Sequence, residues 1–191
     1  MFNDYANHVP WSAYLEAFSE IKLPVVLPKA TFNLEPRDDI WPTDVAPIVR
    51  RAEGGVEIAQ MRGGFPPARP KAPPVINFRS EGRRFERGRC LVPASWFYEF
   101  RGDKVPKEKW KFTKRGEDWF CFAGLWRSAN DNGPEAFTLL TTAPDPDIAP
   151  VHNGQMVVLE RGWVKWLDAT APFAELLRSL PEGSLGRERV R

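Results

Sequence analysis

Between residues 75 and 160 the chain is divided into short apolar runs that end at glycine, proline or charged residues. The runs are VINF, CLVPASWFYEF, KWKFT, WFCFAGLW, AFTLLTT and GQMVVLE. They are rich in β-branched and aromatic residues and are short, which is typical of β-strands. Many short strands with few helices predict an α+β fold with a largely antiparallel, barrel-like β-sheet core and a few flanking helices.

The segments outside this region supply the helices. WSAYLEAFSEI has apolar residues at helical spacing and predicts an amphipathic helix over residues 11–21. Two more helices are predicted from GWVKWL and APFAELLRSL, and GVEIAQMR is interpreted as a strand. The proline-rich residues 63–75 are expected to form a surface loop. We expect one domain over residues 1–191, in which residues 181–191 form a flexible tail.

Composition limits the classes of function. The net charge is only +2, so bulk charge does not by itself indicate a nucleic-acid-binding protein. No run approaches the roughly 18 apolar residues of a membrane span, and the N-terminus lacks a signal-peptide pattern, so a cytoplasmic protein is expected. Cys90 and Cys121 fit neither a zinc site nor a disulfide framework and are interpreted as buried, reduced thiols. No metal or cofactor is implied.

Lysine and arginine residues form two local clusters, over residues 79–89 and 101–115, and aromatic residues are interleaved with both. Cations beside flat rings are what proteins use to bind single-stranded nucleic acid. The alternative, a solvated hairpin face, stays open at this point. The first cluster comprises Arg79, Arg83, Arg84, Arg87 and Arg89 with Phe78 and Phe85; the second comprises Arg101, Lys104, Lys107, Lys109, Lys111, Lys114 and Arg115 with Trp110 and Phe112.

A single carboxylate, Glu99, lies near the end of the apolar run CLVPASWFYEF. If the run is one strand, Glu99 shares a face with Phe97 and Leu91, and both faces are apolar. Glu99 is therefore expected to be buried. An unpaired buried carboxylate costs several kcal/mol, so it requires a partner, a raised pKa or a task. A structural ion pair is the alternative to a catalytic role.

Other polar residues are weaker candidates when each is considered alone. His152 precedes the last apolar run, and Asn77 and Arg79 alternate on one face of a short strand. Thr141 and Thr142 end another strand, where hydroxyl groups often cap turns. Each of these residues also has an ordinary structural explanation.

The order of these residues along the chain closely resembles the SRAP family, the SOS-response-associated peptidases. The resemblance is carried by INFRSEGRRFERGRCLVPASWFYEF, FAGLW, LLTTAPDPDIAPVHNGQMVVL and WVKWL, and it extends from the N-terminus to about Leu167. The combination of N-x-R-x-E, R-C-L-V-P-A-x-x-F-Y-E-F and L-T-T-A followed by His at this spacing is specific. The resemblance implies a single SRAP-like domain.

The resemblance also implies a chemistry. Family members have a cysteine directly after the initiator Met, and autocatalytic removal of that Met exposes an α-amine and a thiol on one residue. This pair condenses with the aldehyde of an abasic site to form a thiazolidine, which is a covalent DNA–protein crosslink. The implied partner is single-stranded DNA containing abasic sites, bound by a monomer in the cytoplasm that associates with the nucleoid on DNA damage.

Roles for individual residues follow from the same resemblance. Asn77 would orient the N-terminal residue, Glu99 would shuttle protons, and His152 would act as acid or base at the sugar oxygen. We expect Glu99 to lie near Asn77, His152 or the N-terminus. The expected DNA-binding residues are Arg79, Arg83, Arg84, Gly63, Thr141 and Thr142.

The chain departs from the family pattern at three positions. Phe2 stands where the family has its nucleophilic cysteine, so the thiol is missing and a large second residue opposes removal of Met1. Gly63 stands where family members usually have a tryptophan, in a loop that stacks against DNA bases. Gly154 stands where an arginine is common. The last two changes bear on DNA affinity.

Three functions therefore stay open. The first is processing of abasic sites in single-stranded DNA, with the family's covalent step compromised by Phe2. The second is a non-covalent single-stranded-DNA-binding pseudoenzyme. The third is a small-molecule or peptide hydrolase built on Glu99 and His152. The clustered cations and aromatic residues favour the first two.

Overall fold

The structure is a computed structural model of the chain, and it describes residues 4–26, 34–67, 69, 71–129, 133–160 and 162–191. The elements in chain order are β1 (Asp4–Asn7), α1 (Trp11–Glu20), β2 (Arg37–Ile40), β3 (Val45–Ala52), β4 (Gly55–Gly63), β5 (Asn77–Arg79), β6 (Arg89–Ala94), β7 (Trp96–Arg101), β8 (Glu108–Lys114), β9 (Phe120–Arg127), β10 (Ala136–Thr142), β11 (Gln155–Met156), β12 (Val158–Leu159), α2 (Trp163–Leu167), a 3₁₀ helix (Ala174–Leu177) and β13 (Leu185–Arg189).

The strands form two sheets. The outer sheet has five strands in the order β13-β8-β7-β1-β2, and all of its pairs are antiparallel. The ring sheet has eight strands, and its pairs β10–β4, β4–β3, β3–β6, β6–β9 and β9–β10 close into a ring. The parallel pairs among the described strands are β10 with β4 and β10 with β5. The predicted α+β fold with a largely antiparallel sheet is confirmed as one domain whose main sheet is ring-like without being a full barrel.

Two apolar cores cover the two faces of the ring sheet. One core lies between the sheets and contains Tyr5, Phe97 and Phe122. The other lies under the helices, where Tyr14 and Phe18 of α1 and Trp166 of α2 are buried. The predicted helix over residues 11–21 is thus confirmed as Trp11–Glu20. Since both faces of the ring sheet are covered, its central strands are apolar on both sides.

The run CLVPASWFYEF is two strands in different sheets, so its interpretation as one strand is wrong. The chain leaves the ring sheet after β6 and enters the outer sheet at β7. The change occurs at Ser95, whose N–H donates to the Ala6 carbonyl at 2.8 Å and whose hydroxyl accepts from the His8 N–H at 3.0 Å. Pro93 has no N–H to donate, and the pairing of β6 with β3 ends before it, at Leu91.

The C-terminal segment corrects a second prediction, because the polar residues expected to form a flexible tail contain strand β13. This strand pairs antiparallel with β8, from Leu185 opposite Lys114 to Arg189 opposite Trp110. The buried Leu185 side chain anchors it to the core between the sheets. A single buried apolar residue among charged ones carries little periodicity, which is why the sequence did not indicate a strand.

Smaller differences concern element lengths and the proline-rich loop. APFAELLRSL forms only a four-residue 3₁₀ helix, which suffices to bury Leu177. GQMVVLE is divided into β11 and β12, which pair with different strands. Within residues 63–75, Phe65 is buried and bridges Val75 instead of lying in a surface loop.

Cys90 and Cys121 are buried free thiols, as expected from the sequence. In the described ranges, no helix is long and apolar enough to cross a membrane. The same residues contain no group of three or more His, Cys, Asp or Glu side chains arranged to hold a metal ion.

Candidate functional site

Glu99 lies on β7, the middle strand of the outer sheet. The register pairs it with Trp110 of β8 on one side. On the other side, β1 begins with Asp4 opposite Tyr98, so Glu99 lies one position beyond the described start of β1. Its side chain points towards the core between the sheets, as Phe97 does. The burial predicted for Glu99 is confirmed, since only 1% of the residue is exposed.

The Glu99 carboxyl is in an unusual electrostatic state. Desolvation by burial raises its pKa from 4.5 to about 8, so the group holds a proton at neutral pH. Its Oε1 has no hydrogen-bond partner among the described residues. His152 Nδ1 lies 3.6 Å from Oε2, which is longer than a direct hydrogen bond but short enough for a small shift to close. The expected proximity of Glu99 to His152 is therefore observed.

His152 is held by the backbone of Gly154. Its Nδ1 lies 2.7 Å from the Gly154 carbonyl oxygen and 3.3 Å from the Gly154 nitrogen, and the shorter contact fits an Nδ1–H that donates to the carbonyl. In this tautomer Nε2 is left as a proton acceptor. About 20% of the His152 side chain is exposed, so the ring connects the buried carboxyl with the surface.

Hydrogen bonds of Asp145 and Gln155 hold the loop that carries His152. The Asp145 carboxylate accepts from the N–H groups of Asp147 at 3.1 Å and Ile148 at 3.0 Å, which caps a helical turn that ends at His152. Gln155 donates to the same carboxylate at 3.1 Å and accepts from the Asp145 N–H at 2.6 Å. Sequence reasoning missed both residues, although the pattern D-P-D-I before His152 is a capping signal.

Strand β10 brings the other candidates to the same region. It pairs in parallel with β5, with Leu139 opposite Asn77 and Thr141 opposite Arg79. On its other side it pairs with β11, with Thr142 opposite Gln155. Strands on either side of a common neighbour are about 10 Å apart. Arg79 and the segment that follows His152 therefore flank the same end of β10.

The first basic cluster is exposed except for one member. The Arg79 side chain is 70% exposed and its Nε lies 3.2 Å from Glu81 Oε2. Arg83, Arg84 and Arg87 are also exposed. Arg89 does not belong to this surface, which corrects the sequence assignment. Its buried guanidinium donates to carbonyl oxygens of residues 85, 168, 169 and 171, and it stacks on Trp166 and Phe173.

The second basic cluster is divided, since Arg101, Lys104 and Arg115 are exposed whereas three of its lysines are engaged. Lys109 is only 16% exposed and lies 2.9 Å from Asp4 Oδ2 and 2.7 Å from Asp39 Oδ1. Lys114 is buried against Glu117 at 2.5 Å. Lys111 lies over the Trp96 ring at 3.9 Å. Of the aromatic residues expected to stack on bases, Phe85 of the first cluster and Phe112 of the second are buried in the cores.

The remaining expected DNA-binding residues are enclosed. Gly63 is buried at the end of β4, where its N–H donates to the Asp44 carbonyl at 2.8 Å, so the expected position in an exposed loop is wrong. The Thr141 hydroxyl faces the Phe78 carbonyl oxygen at 3.5 Å, and the Thr142 hydroxyl donates to Glu81 Oε1 at 3.3 Å. Phe2, at the position of the family's cysteine, lies outside the described residues.

Two buried polar groups beside the site were not found from the sequence. The Tyr5 hydroxyl is buried and has no partner within the described part of the chain. Asp4 is fully buried, and burial raises its pKa to about 6 although Lys109 opposes the shift. Both residues lie on β1, whose four residues are all buried. The segment NDYAN contains too few apolar residues to indicate this burial.

The geometry has a defined chemical capacity. A protonated carboxyl and an imidazole with a free ring nitrogen can supply and accept protons at one small site. The exposed arginines at the end of β10 add positive charge suited to phosphate groups. The arrangement suits proton transfer on a phosphate-bearing substrate.

Comparison with known proteins identifies the family. The profile described as SOS response associated peptidase (SRAP) matches residues 4–191, nearly the whole chain. The chain belongs to the SRAP family. The match continues beyond Leu167, the end of the resemblance seen in the motifs, and includes β13.

Curated relatives of this SRAP chain are distant. The abasic site processing protein YoqW of Bacillus subtilis is 30% identical over 97 residues, which are 48% of this chain and 43% of YoqW. The match therefore spans less than half of that relative. The abasic site processing protein YoaM of the same organism is 24% identical over 187 residues, which are 89% of this chain and 82% of YoaM.

Solved structures support the same fold. A crystal structure of a protein from Bordetella bronchiseptica superimposes with a TM-score of 0.76 at 21% identity and covers 99% of both chains. A phage-related protein from the same organism has a TM-score of 0.73 at 23% identity, with 99% of this chain and 94% of that chain covered.

Proposed function

We propose that this SRAP protein recognises abasic sites in single-stranded DNA and promotes opening of the abasic sugar with Glu99 and His152. The observation that carries the proposal is the buried Glu99 carboxyl, with a pKa of about 8, whose Oε2 lies 3.6 Å from Nδ1 of the partly exposed His152 ring. The names of YoqW and YoaM, both abasic site processing proteins, support the substrate. The exposed arginines favour DNA over a small-molecule or peptide substrate.

The proposed step is the opening of the cyclic hemiacetal of the abasic sugar. One proton leaves the anomeric hydroxyl, the bond between the anomeric carbon and the ring oxygen breaks, and one proton is delivered to that oxygen. His152 can accept the first proton through Nε2, and the protonated Glu99 carboxyl can supply the second. The product is the open-chain aldehyde.

The covalent step of the family is not proposed for this chain as it stands. A thiazolidine requires a thiol beside the amine, and Phe2 has none. We therefore propose reversible binding, in which the aldehyde is held without a heat-stable crosslink.

The test combines binding and crosslinking with 15-nucleotide single strands that contain either one abasic site or an ordinary base. We expect wild-type protein to prefer the abasic strand in fluorescence anisotropy and to give no band on a denaturing gel. Phe2→Cys should give a heat-stable band with the abasic strand alone, and Phe2→Ser, similar in size but without a thiol, should not. Adding Glu99→Ala to Phe2→Cys should slow crosslinking about 10²–10⁴-fold, the usual range for acid–base help.

Three results would contradict the proposal. Equal affinity for the two strands would leave a non-specific single-stranded-DNA-binding protein. No abasic-specific band from Phe2→Cys would show that the site cannot present the sugar. A wild-type band that appears only after borohydride reduction would show that an amine forms an imine with the aldehyde, contrary to non-covalent binding.

A further inference from the structure

A wide cleft lies next to the candidate site, at the carboxyl end of β10. Its volume is about 730 Å³, which is in the range of small-molecule and cofactor sites. The turn that follows β5 and the segment around the 3₁₀ helix both line it. The lining includes Glu81, Arg83, Thr142, Phe173, Leu177 and Arg178.

Two guanidinium groups give this cleft its charge. Arg83 and Arg178 are both exposed, and neither forms an ion pair within the ranges that the structure describes. Arg83 lies over the Phe78 ring at 5.4 Å, which leaves its N–H groups available. The two residues line the same cleft although they are about a hundred positions apart in the sequence, so only the fold brings them together.

The acidic residue of the cleft does not cancel this charge. Glu81 accepts from the Ala143 N–H at 2.9 Å and the Thr142 hydroxyl at 3.3 Å, and it pairs with Arg79 at 3.2 Å. Desolvation acts to raise its pKa, but these hydrogen bonds and Arg79 outweigh it and hold the pKa below its usual range. The carboxylate is thus ionised but neutralised by Arg79, and the charge of Arg83 and Arg178 remains.

The surfaces of the cleft indicate the class of ligand. Leu177 is buried beneath it and Phe173 is half-buried beside it, so part of the lining is apolar. A ligand in which a flat apolar group is covalently linked to a nearby phosphate fits both features. The flat group would contact the apolar lining and the phosphate would bind the two guanidinium groups. A nucleotide has this combination.

We infer that this cleft binds a nucleotide of the DNA strand that flanks the abasic site, with its phosphate between Arg83 and Arg178 and its base towards Phe173. The inference rests on the proposed function, because Thr142 lines the cleft and follows Thr141, which pairs with Arg79 of β5. Arg178 is the informative residue, since it lies outside the motifs that indicated DNA binding.

The experiment measures the affinity of abasic single strands that are lengthened stepwise on either side of the abasic site. In wild-type protein, added nucleotides on one side should increase affinity until the cleft is filled. Arg178→Gln should lose about tenfold in affinity for the long strand and nothing for the shortest strand that binds. The slope of log affinity against log salt should become shallower by about 0.7, the contribution of one phosphate contact on a single strand.

The control is Arg51→Gln, which removes the same charge at an exposed position that does not line the cleft. It should match wild-type protein at every length. A thermal melt of each variant confirms that it is folded. A second arm titrates deoxyadenosine monophosphate alone into wild-type protein and Arg178→Gln.

The outcomes separate the two proposals. If wild-type protein binds no abasic strand, the proposed function fails and this inference fails with it. If wild-type protein binds but Arg178→Gln behaves as Arg51→Gln does, the cleft inference alone is overturned. If the free mononucleotide binds through Arg178 while strand affinity is unchanged, the cleft is a site for free nucleotides and the assignment to a strand is wrong.

Discussion

The carboxyl of Glu99 and the ring of His152 form a small proton-transfer unit, and its properties come from burial. Glu99 lies within β7 between apolar neighbours, and one of its carboxyl oxygens has no partner among the described residues. Removing water from a carboxylate favours its protonated form, which raises the pKa to about 8. The burial that keeps Glu99 protonated therefore also makes the stability of the folded protein depend on pH.

This sensitivity gives a prediction for Glu99→Gln. The folded-state pKa of Glu99 is above its ordinary value of 4.5, so the stability that it contributes is fully present below about pH 4.5 and is lost as the pH rises through 8. Gln carries no proton to lose. Between pH 5 and 9, the free energy of unfolding of wild-type protein should fall relative to the variant by on the order of 4 kcal/mol, measured by urea denaturation.

The comparison with the variant cancels the other titrating groups, including Asp4, whose pKa is also raised, to about 6. Glu53→Gln, at an exposed turn, is the control and should follow wild-type protein at each pH. Parallel curves for wild-type protein and Glu99→Gln would mean that Glu99 is ionised in the folded protein at neutral pH.

Two elements determine how the site is built. The division of one apolar run into β6 and β7 carries the chain from the ring sheet to the outer sheet and places Glu99 between them. Strand β13 closes the free edge of β8, the strand that pairs with β7. An uncovered edge would leave the N–H and C=O groups of β8 unpaired, so β13 supports the sheet on which Glu99 lies.

The contribution of β13 can be measured through Leu185. Its side chain is 1% exposed, whereas Val190, just past the end of the strand, is 45% exposed. Leu185→Ala should lower the free energy of unfolding by about 2–5 kcal/mol, and Val190→Ala should change it by less than about 0.5 kcal/mol. Urea denaturation of the two variants provides the test. Similar values for both would show that the C-terminal segment is not docked in solution.

At the scale of the whole molecule, the ring sheet separates two cores, and each core contains one cysteine. The reactivity of each thiol therefore tests whether its core is closed to solvent. Cys90 packs in the core between the sheets and Cys121 in the core under the helices. Both are fully buried, and desolvation raises the pKa of each thiol. Neither forms a thiolate at neutral pH or is reached by a reagent while the fold is closed.

We therefore expect no reaction of native protein with a disulfide reagent such as DTNB, and reaction of both thiols in urea. Ser128→Cys adds a thiol at an exposed position and should react at once, which controls for the reagent. The rate for the native thiols should follow the unfolding rate of the protein. If the thiols of native wild-type protein reacted with DTNB as fast as the added thiol of Ser128→Cys does, at least one core would be accessible to the reagent.

The sequence by itself determined the fold class and the family. Short apolar runs indicate strands because a buried strand needs only an alternating or continuous apolar segment. This pattern can be recognised without knowing which other strands the segment pairs with. The burial of Glu99, the buried thiols, helix α1 and the family were all read correctly from local residues.

Only the tertiary structure decided which charged residues are free. Arg89, Lys109 and Lys114 look like their neighbours in the sequence, but each is bound to carbonyl or carboxylate groups of distant or neighbouring segments. Arg178 lies outside the basic clusters of the sequence, but it lines the same cleft as Arg83. The physical reason is that the energy of a charge depends on its solvation and on its partners in space, and the order of residues along a chain records neither.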